Sequence, residues 1–170
     1  MLLPPNAYPA DEPTVIEHYR EVARAGLPVV AYNNPFDTRV DLTPALLARL
    51  HAEGLIAAVK EFSGDVRRAY EIAELAPGLD LLAGADDVLL ELAVAGAAGW
   101  VAGYPNALPE SCAALYRAAT AGTWRPRFRC TGRCTRCCAG TPARASSRPS
   151  SSPWTWPGAA AAPAARPGSR

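Results

Sequence analysis

The run Leu55-Ile56-Ala57-Ala58-Val59-Lys60-Glu61-Phe62-Ser63-Gly64-Asp65 decides the fold. Its unbroken apolar start, with no polar alternation, describes a strand buried on both faces, and such strands belong to parallel sheets covered by helices. The apolar run closes on a lysine, and the Ser-Gly-Asp cluster after it marks a loop. Upstream, Thr43 is placed to cap a helix with Pro44 at its first position and Leu46, Leu47 and Leu50 on one face. Before that helix, Leu27-Pro28-Val29-Val30-Ala31-Tyr32 is a second apolar strand running into the loop Asn33-Asn34-Pro35. Earlier still, Val15, Ile16, Tyr19, Val22 and Ala23 recur at helical spacing over residues 14–25, and Gly26 follows where a helix C-cap belongs.

Downstream the alternation continues. A helix is expected from about residue 65 to 75, then the strand Leu79-Asp80-Leu81-Leu82-Ala83-Gly84. Asp86 and Asp87 are expected in the first turn of a helix reaching Ala95, where the dipole favours acids. Ala98-Gly99-Trp100-Val101-Ala102-Gly103 reads as a fourth strand, and Pro109 opens a helix through Ala119. Four β/α units with apolar strands leave an α/β fold of one of two kinds, a TIM barrel or a doubly wound sheet. No Gly-rich fingerprint follows a strand, so a nucleotide-phosphate site has no support. A complete (β/α)₈ barrel takes about 250 residues, and the chain has 170. The expectation is therefore a partial (β/α)₈ barrel in residues 1–120.

The net charge of +1 offers no steering field for nucleic acid or membrane. It conceals two unlike segments: residues 1–120 hold 8 Lys+Arg against 16 Asp+Glu, whereas residues 121–170 hold 9 Arg and no acid. No window has the roughly 20 apolar residues of a membrane span, and Met1-Leu2-Leu3-Pro4-Pro5 lacks the basic start and apolar core of an export signal. A cytoplasmic protein is the expectation. Cys130, Cys134, Cys137 and Cys138 fall in the basic tail, leaving Cys112 alone in the body, which is not the pattern of a secreted disulfide framework.

Function in parallel β/α folds collects at the carboxyl ends of the strands. Tyr32 and Lys60 are the polar residues ending two successive strands. A lysine enclosed there loses hydration, which favours the neutral amine that condenses with a ketone, and a tyrosine hydroxyl beside it passes protons to and from the carbinolamine. The same residues also fit an ordinary lysine snorkelling out of a strand end.

Tyr32-Asn33-Asn34-Pro35, followed 25 residues later by Lys60-Glu61-Phe62-Ser63-Gly64-Asp65, resembles the dihydrodipicolinate synthase and N-acetylneuraminate lyase family. Ala83-Gly84-Ala85-Asp86-Asp87, Gly99-Trp100-Val101-Ala102-Gly103 and Leu3-Pro4-Pro5 match later and earlier strand ends of the same family, so the resemblance spans residues 1–120 from the fourth barrel strand onward. It implies a class I aldolase-type barrel, commonly a homo-tetramer, that needs no metal or cofactor and forms a Schiff base with pyruvate or a related 2-oxo acid. By motif, Lys60 is the Schiff-base lysine, Tyr32 its proton-handling tyrosine, and Gly103, Asp37 and Thr38 are substrate-binding positions. One departure bears on the substrate. Strict dihydrodipicolinate synthases carry an arginine two residues after the motif proline, which binds a distal carboxylate; Asp37 stands there, with Arg39 two residues further on. An acid cannot make that bidentate contact. The family's first three strands, with the hydroxyl residues that hold the substrate carboxylate, have no counterpart in these 170 residues.

Residues 121–170 are rich in Arg, Pro, Ser, Ala and Cys without apolar periodicity. The Cys130 to Cys138 cluster lacks the second clean pair of a zinc site, and Arg with Trp124, Trp154 and Trp156 shows no fold to carry a nucleic-acid surface. Back-translated with GC-rich codons and read one base earlier from the Gly122 codon, the tail permits Asp-Leu-Ala-Ala-Ala-Leu-Pro-Leu-Tyr-Arg-Ala-Leu, and residues 147–157 permit Val-Gln-Ala-Ile-Lys-Leu-Ser-Met-Asp-Met-Ala. Both resemble the family's C-terminal helices. The expectation is a tail translated out of frame and disordered, following a partial barrel. The competing reading is a non-catalytic half-barrel or an Arg-rich interaction protein.

Overall fold

The computed structural model describes residues 1–7 and 9–122. Asp11 caps α1 (Glu12–Ala23), its carboxylate accepting from the Thr14 backbone N–H at 3.1 Å, and Gly26 takes a left-handed φ of 72° just beyond the helix. The chain then enters β1 (Val30–Asn33), makes the single helical turn α2 (Pro35–Thr38), and passes into α3 (Pro44–Ala52), where the Thr43 hydroxyl accepts from the Leu46 N–H at 3.3 Å. The remaining elements are β2 (Ala58–Glu61), α4 (Arg67–Leu75), β3 (Asp80–Ala83), α5 (Leu89–Val94), β4 (Gly99–Trp100), the short α6 (Tyr104–Ala107) and α7 (Pro109–Thr120).

All strand pairs are parallel, and the sheet order is β1-β2-β3-β4. That order separates the two architectures the sequence left open. A doubly wound sheet reverses its strand order at a switch point; here each strand lies beside its predecessor, as around a barrel. The N-terminal residues continue the progression. Leu2 forms a parallel bridge to Ala31, its N–H donating to Val30 O and its carbonyl accepting from Tyr32 N, each at 2.8 Å. Tyr19 of α1 fastens this edge by donating its hydroxyl to Leu2 O at 3.1 Å. The described residues form a partial (β/α)₈ barrel.

The strand alternation assigns the two faces. Ala31, Val59, Leu81 and Ala83 turn toward the helices and are buried against Ile16, Leu47, Leu50, Ile72 and Leu89. Val30, Tyr32, Lys60 and Leu82 turn the other way, toward what is the interior of a closed barrel, and are only half-buried. The core of the described residues thus lies between sheet and helices. Among the described residues no helix is long and apolar enough to cross a membrane.

Some boundaries differ from those the sequence suggested. The expected strand over residues 98–103 keeps only Gly99 and Trp100 in the sheet, because the chain after them turns over into α6. Helix α4 starts two residues later than expected: Asp65 instead precedes it and accepts from the Arg67 N–H at 3.1 Å and from its guanidinium at 2.8 Å, which holds the Asp65 carboxyl down at about 2. Asp86 and Asp87 lie ahead of α5 rather than in its first turn, since Asp86 is engaged elsewhere. The short turns α2 and α6 carry too few residues to show a period. The expectations for residues 123–170, including the out-of-frame tail and the cysteine cluster, lie outside the described residues.

Gly84 is the closest approach in the sheet. A Cβ there would meet the backbone carbonyl oxygen of Glu61 at 2.6 Å, the same oxygen that accepts from Gly84 N at 2.9 Å. A flexible side chain could yield, but a sheet carbonyl cannot. Gly84→Ala is expected to destabilise the chain by about 1–3 kcal/mol, measured as a lowered urea midpoint, and an unchanged midpoint would contradict the close approach.

Candidate active site at the strand ends

In-register pairing of β1 with β2 sets Tyr32 opposite Lys60 and Asn33 opposite Glu61. Because side chains alternate along a strand, these two pairs serve opposite faces of one sheet. Tyr32 and Lys60 project into the open face, while Asn33 and Glu61 are buried on the helix side, 0% and 2% exposed.

On the open face the Lys60 Nζ lies 4.1 Å from the centre of the Tyr32 ring and 5.7 Å from that of Phe62. The two rings meet edge to face, centres 6.4 Å apart at 73°. Aromatic walls on two sides fix the amine at the carboxyl end of the strand and leave it partly open to solvent. The Tyr32 hydroxyl accepts from Asn34 Nδ2 at 3.3 Å, and the same nitrogen donates to Asp37 Oδ2 at 2.7 Å. Asp37 is exposed in α2. Thr38 is not: it is buried, and its hydroxyl faces the carbonyls of Asn34 and Val40, each at 2.9 Å, so it holds the turn that carries Asn34. Arg39 ends α2 with φ 57°, a left-handed conformation uncommon outside glycine.

Beneath this face lies a polar network. Glu61 accepts from Asn33 Nδ2 at 2.9 Å and from Ser63 N at 2.6 Å, and the Arg68 guanidinium stands 3.9 Å away. Arg68 makes a two-pronged contact with Asp41 at 2.8 and 2.5 Å. Asn33 completes the circuit by accepting from Leu42 N at 3.0 Å. A buried carboxylate is tolerable only when hydrogen-bonded and paired in this way. The sequence reading singled out the Tyr-Asn and Lys-Glu dipeptides but not the role of their second members. Period-two alternation was the signal available, since the neighbour of each inward residue must point outward.

At the far end, β3 and β4 bring Asp86 to Gly103. Asp86 Oδ2 accepts from Tyr104 N at 3.4 Å, and a Cβ on Gly103 would lie 3.6 Å from the same oxygen, an ordinary contact distance. Asp86 Oδ1 and Trp100 Nε1 are both buried without a hydrogen-bond partner of good geometry. Gly103 and the Lys60–Tyr32 pair are therefore carried on the same ends of one sheet, by β4 and by β1 and β2. Among the described residues no three His, Cys, Asp or Glu side chains converge as a metal site requires.

This arrangement has known counterparts. A family model described as the dihydrodipicolinate synthetase family matches residues 1–135. The chain belongs to that family. It is 33% identical over 112 residues to a 4-hydroxy-tetrahydrodipicolinate synthase of Methanosphaerula palustris, an alignment covering 65% of this chain and 38% of the relative. Among solved structures, dihydrodipicolinate synthase from Aquifex aeolicus superposes with a TM-score of 0.73 at 27% identity, covering 77% of this chain and 46% of that one. A prophage protein of the dihydrodipicolinic acid synthase family from E. coli K12, solved in complex with pyruvate, superposes with a TM-score of 0.74 at 25% identity, covering 79% and 47%. The chain thus spans about two-fifths of the length of the curated relative and under half of each of these structures.

Within this member of the dihydrodipicolinate synthetase family, Asp86 gives the strand-end region a titratable element. Burial raises its carboxyl above the ordinary 3.8; the Tyr104 and Gly103 N–H groups and the nearby indole oppose that shift, and Asp87 adds to it. An acid whose folded value is raised costs stability once it ionises: the unfolded chain releases its proton first as pH climbs past 3.8, and the penalty is complete above the folded value. Asp86→Asn removes the penalty while keeping an oxygen for Tyr104 N. The melting temperature of this variant is expected to exceed that of the unmodified chain at neutral pH, with the gap shrinking toward pH 3.8. A constant gap across that range would show that Asp86 ionisation carries no cost.

Proposed function

We propose that the chain carries the Schiff-base half of a lyase acting on pyruvate or a related 2-oxo acid, with Lys60 as the nucleophile and Tyr32 as the proton carrier. The observation that carries this reading is the placement of the Lys60 Nζ 4.1 Å from the Tyr32 ring at the carboxyl ends of adjacent parallel strands. The family membership and the likeness to a relative solved with pyruvate support it.

The chemistry follows from the two groups. A neutral Lys60 amine adds to the C2 carbonyl of the 2-oxo acid, forming the C–N bond as the C=O π pair moves to oxygen. One N–H proton of the adduct and one proton delivered by Tyr32 convert that oxygen to water, which leaves as the nitrogen lone pair forms the iminium. Two protons reach the oxygen, and one remains on nitrogen. The iminium then withdraws electrons from the neighbouring carbon, which permits C–C or C–O bond cleavage. Gly103, which follows β4 at the same end of the sheet, and the exposed Asp37, which follows β1, are the substrate-side positions of this reading. In this reading the intact assembly is a homo-oligomer, most simply the family's tetramer, and no nucleic acid takes part.

Pyruvate with borohydride is expected to leave an irreversible adduct on Lys60, located by peptide mass spectrometry, and Lys60→Ala to abolish it. Labelling that persists in that variant would overturn the assignment. The acid at position 37 further selects against substrates with a distal carboxylate. Condensation of pyruvate with aspartate semialdehyde is expected to run at least about tenfold below a dedicated synthase in kcat/KM, the consequence of losing about 1.4 kcal/mol of ion pairing. Parity with such a synthase in steady-state assays would refute this selection.

A further inference from the structure

We propose that Asp37 is a positioning residue, which locks the side-chain amide of Asn34 in the orientation that makes it a donor to the Tyr32 hydroxyl. The inference rests on the Schiff-base reading for its catalytic consequence, but its geometry stands by itself. Asn34 Nδ2 carries two hydrogens, and both are accounted for: one reaches Asp37 Oδ2 at 2.7 Å and the other the Tyr32 hydroxyl oxygen at 3.3 Å. Turning the amide over would set its carbonyl oxygen against the Asp37 carboxylate, losing that bond and reversing the direction of the one to Tyr32. Charge-assisted bonds to a carboxylate are the stronger kind, so the shorter contact dictates the orientation and the longer one follows.

The orientation leaves a mark. Asn34 is 4% exposed, and its Oδ1 is buried with no hydrogen-bond partner. A buried amide seldom leaves its acceptor unused when a flip would engage it. Here a flip would give that oxygen the Tyr32 O–H as donor, so the flip is available and is not taken. The backbone leaves little freedom to escape by other means. Asp37 N and Thr38 N both donate to Asn34 O, at 3.2 and 3.0 Å, and the Thr38 hydroxyl lies 2.9 Å from both Asn34 O and Val40 O. Asp37 is thereby held one turn from the amide it controls.

The consequence reaches the amine. A phenol has one proton, and an oxygen that accepts from Asn34 does not spend that proton on Asn34. It remains for the oxygen of a 2-oxo acid condensing at Lys60, on the ring that the Nζ overlies at 4.1 Å. With the amide reversed, the Tyr32 proton would be tied to Asn34 Oδ1 and withheld from the reaction. The acid at position 37, which disqualifies the site from binding a distal carboxylate, has a use within it.

Two measurements on the full chain test this. The first follows the phenol-carbon signal of Tyr32 by NMR in chain labelled with [¹³Cζ]tyrosine, assigned with Tyr32→Phe. Asp37→Asn removes the charge that orients Asn34 and is expected to move the signal, and Asp37→Glu to restore it. The second follows borohydride trapping of pyruvate on Lys60. Asp37→Asn is expected to lower the saturating rate by about tenfold, part of what a general acid contributes, while the half-saturating pyruvate concentration stays nearly constant; Asp37→Glu is expected to recover the rate. A side chain acting only on substrate charge would shift the half-saturating concentration instead, and that result overturns the inference. So does a Tyr32 signal indifferent to Asp37→Asn. Should the unmodified chain not label at Lys60, the Schiff-base reading falls, while the Tyr32 signal still decides whether Asp37 sets the amide.

Discussion

The carboxylate of Glu61 ties the ends of two strands together from below. Held by Asn33 of the neighbouring strand, by Ser63 N of its own loop and by the charge of Arg68, it fixes where β1 and β2 stop and how their loops depart. A one-residue slip of β2 would carry Glu61 to the open face and Lys60 into the apolar layer, since each residue along a strand changes side. The register that sets Tyr32 opposite Lys60 therefore stands on the same constraint that keeps a buried charge hydrogen-bonded. Removing one partner would leave a charge or a donor stranded in the interior, which is costlier than the net worth of the pair.

The two faces of the sheet divide the work. The helix side supplies stability through apolar contact, closed by the paired Glu61 and Asn33 at the strand ends. The opposite face carries Tyr32 and Lys60 with Phe62 beside them, each only half-buried. Loops complete the division. Asn34 and Asp37 come from the turn after β1, Ser63 from the loop after β2, and Asp86 from the loop after β3, where it ties the start of α6 to the sheet. Each is placed by hydrogen bonds, Asn34 and Asp37 between side chains, Ser63 through its N–H to Glu61 and Asp86 from the Tyr104 backbone.

The family resemblance and the departure at Asp37 are compatible in these terms. The dihydrodipicolinate synthetase family supplies the strand-end pair, and this chain alters the rim. Where strict synthases place a cation for a distal carboxylate, the acid here turns back on Asn34 and is coupled to Tyr32 instead of reaching outward.

The alternation of strands and helices was legible in local pattern, because the strands are apolar runs without polar interruption and the helices between them carry one apolar stripe. The sequence also drew attention to Tyr32 and Lys60 as polar residues closing apolar strands, a pattern that a lysine snorkelling out of a strand end fits as well. Thr43 and Pro44 were legible as a helix start because capping is a local matter of a side chain and a backbone N–H a few residues away. The rest depended on how the elements pack. The choice of a barrel segment over a doubly wound sheet lies in strand order, which no local pattern encodes. Asp86 left the helix dipole for Tyr104 N, 18 residues along the chain, and the Asn33–Glu61 bond spans 28. The turn α2, with its Asn34 amide between a phenol and a carboxylate, was equally out of reach. Contacts of that range depend on how strands align and how loops depart from them, and those follow from packing rather than from neighbours in sequence.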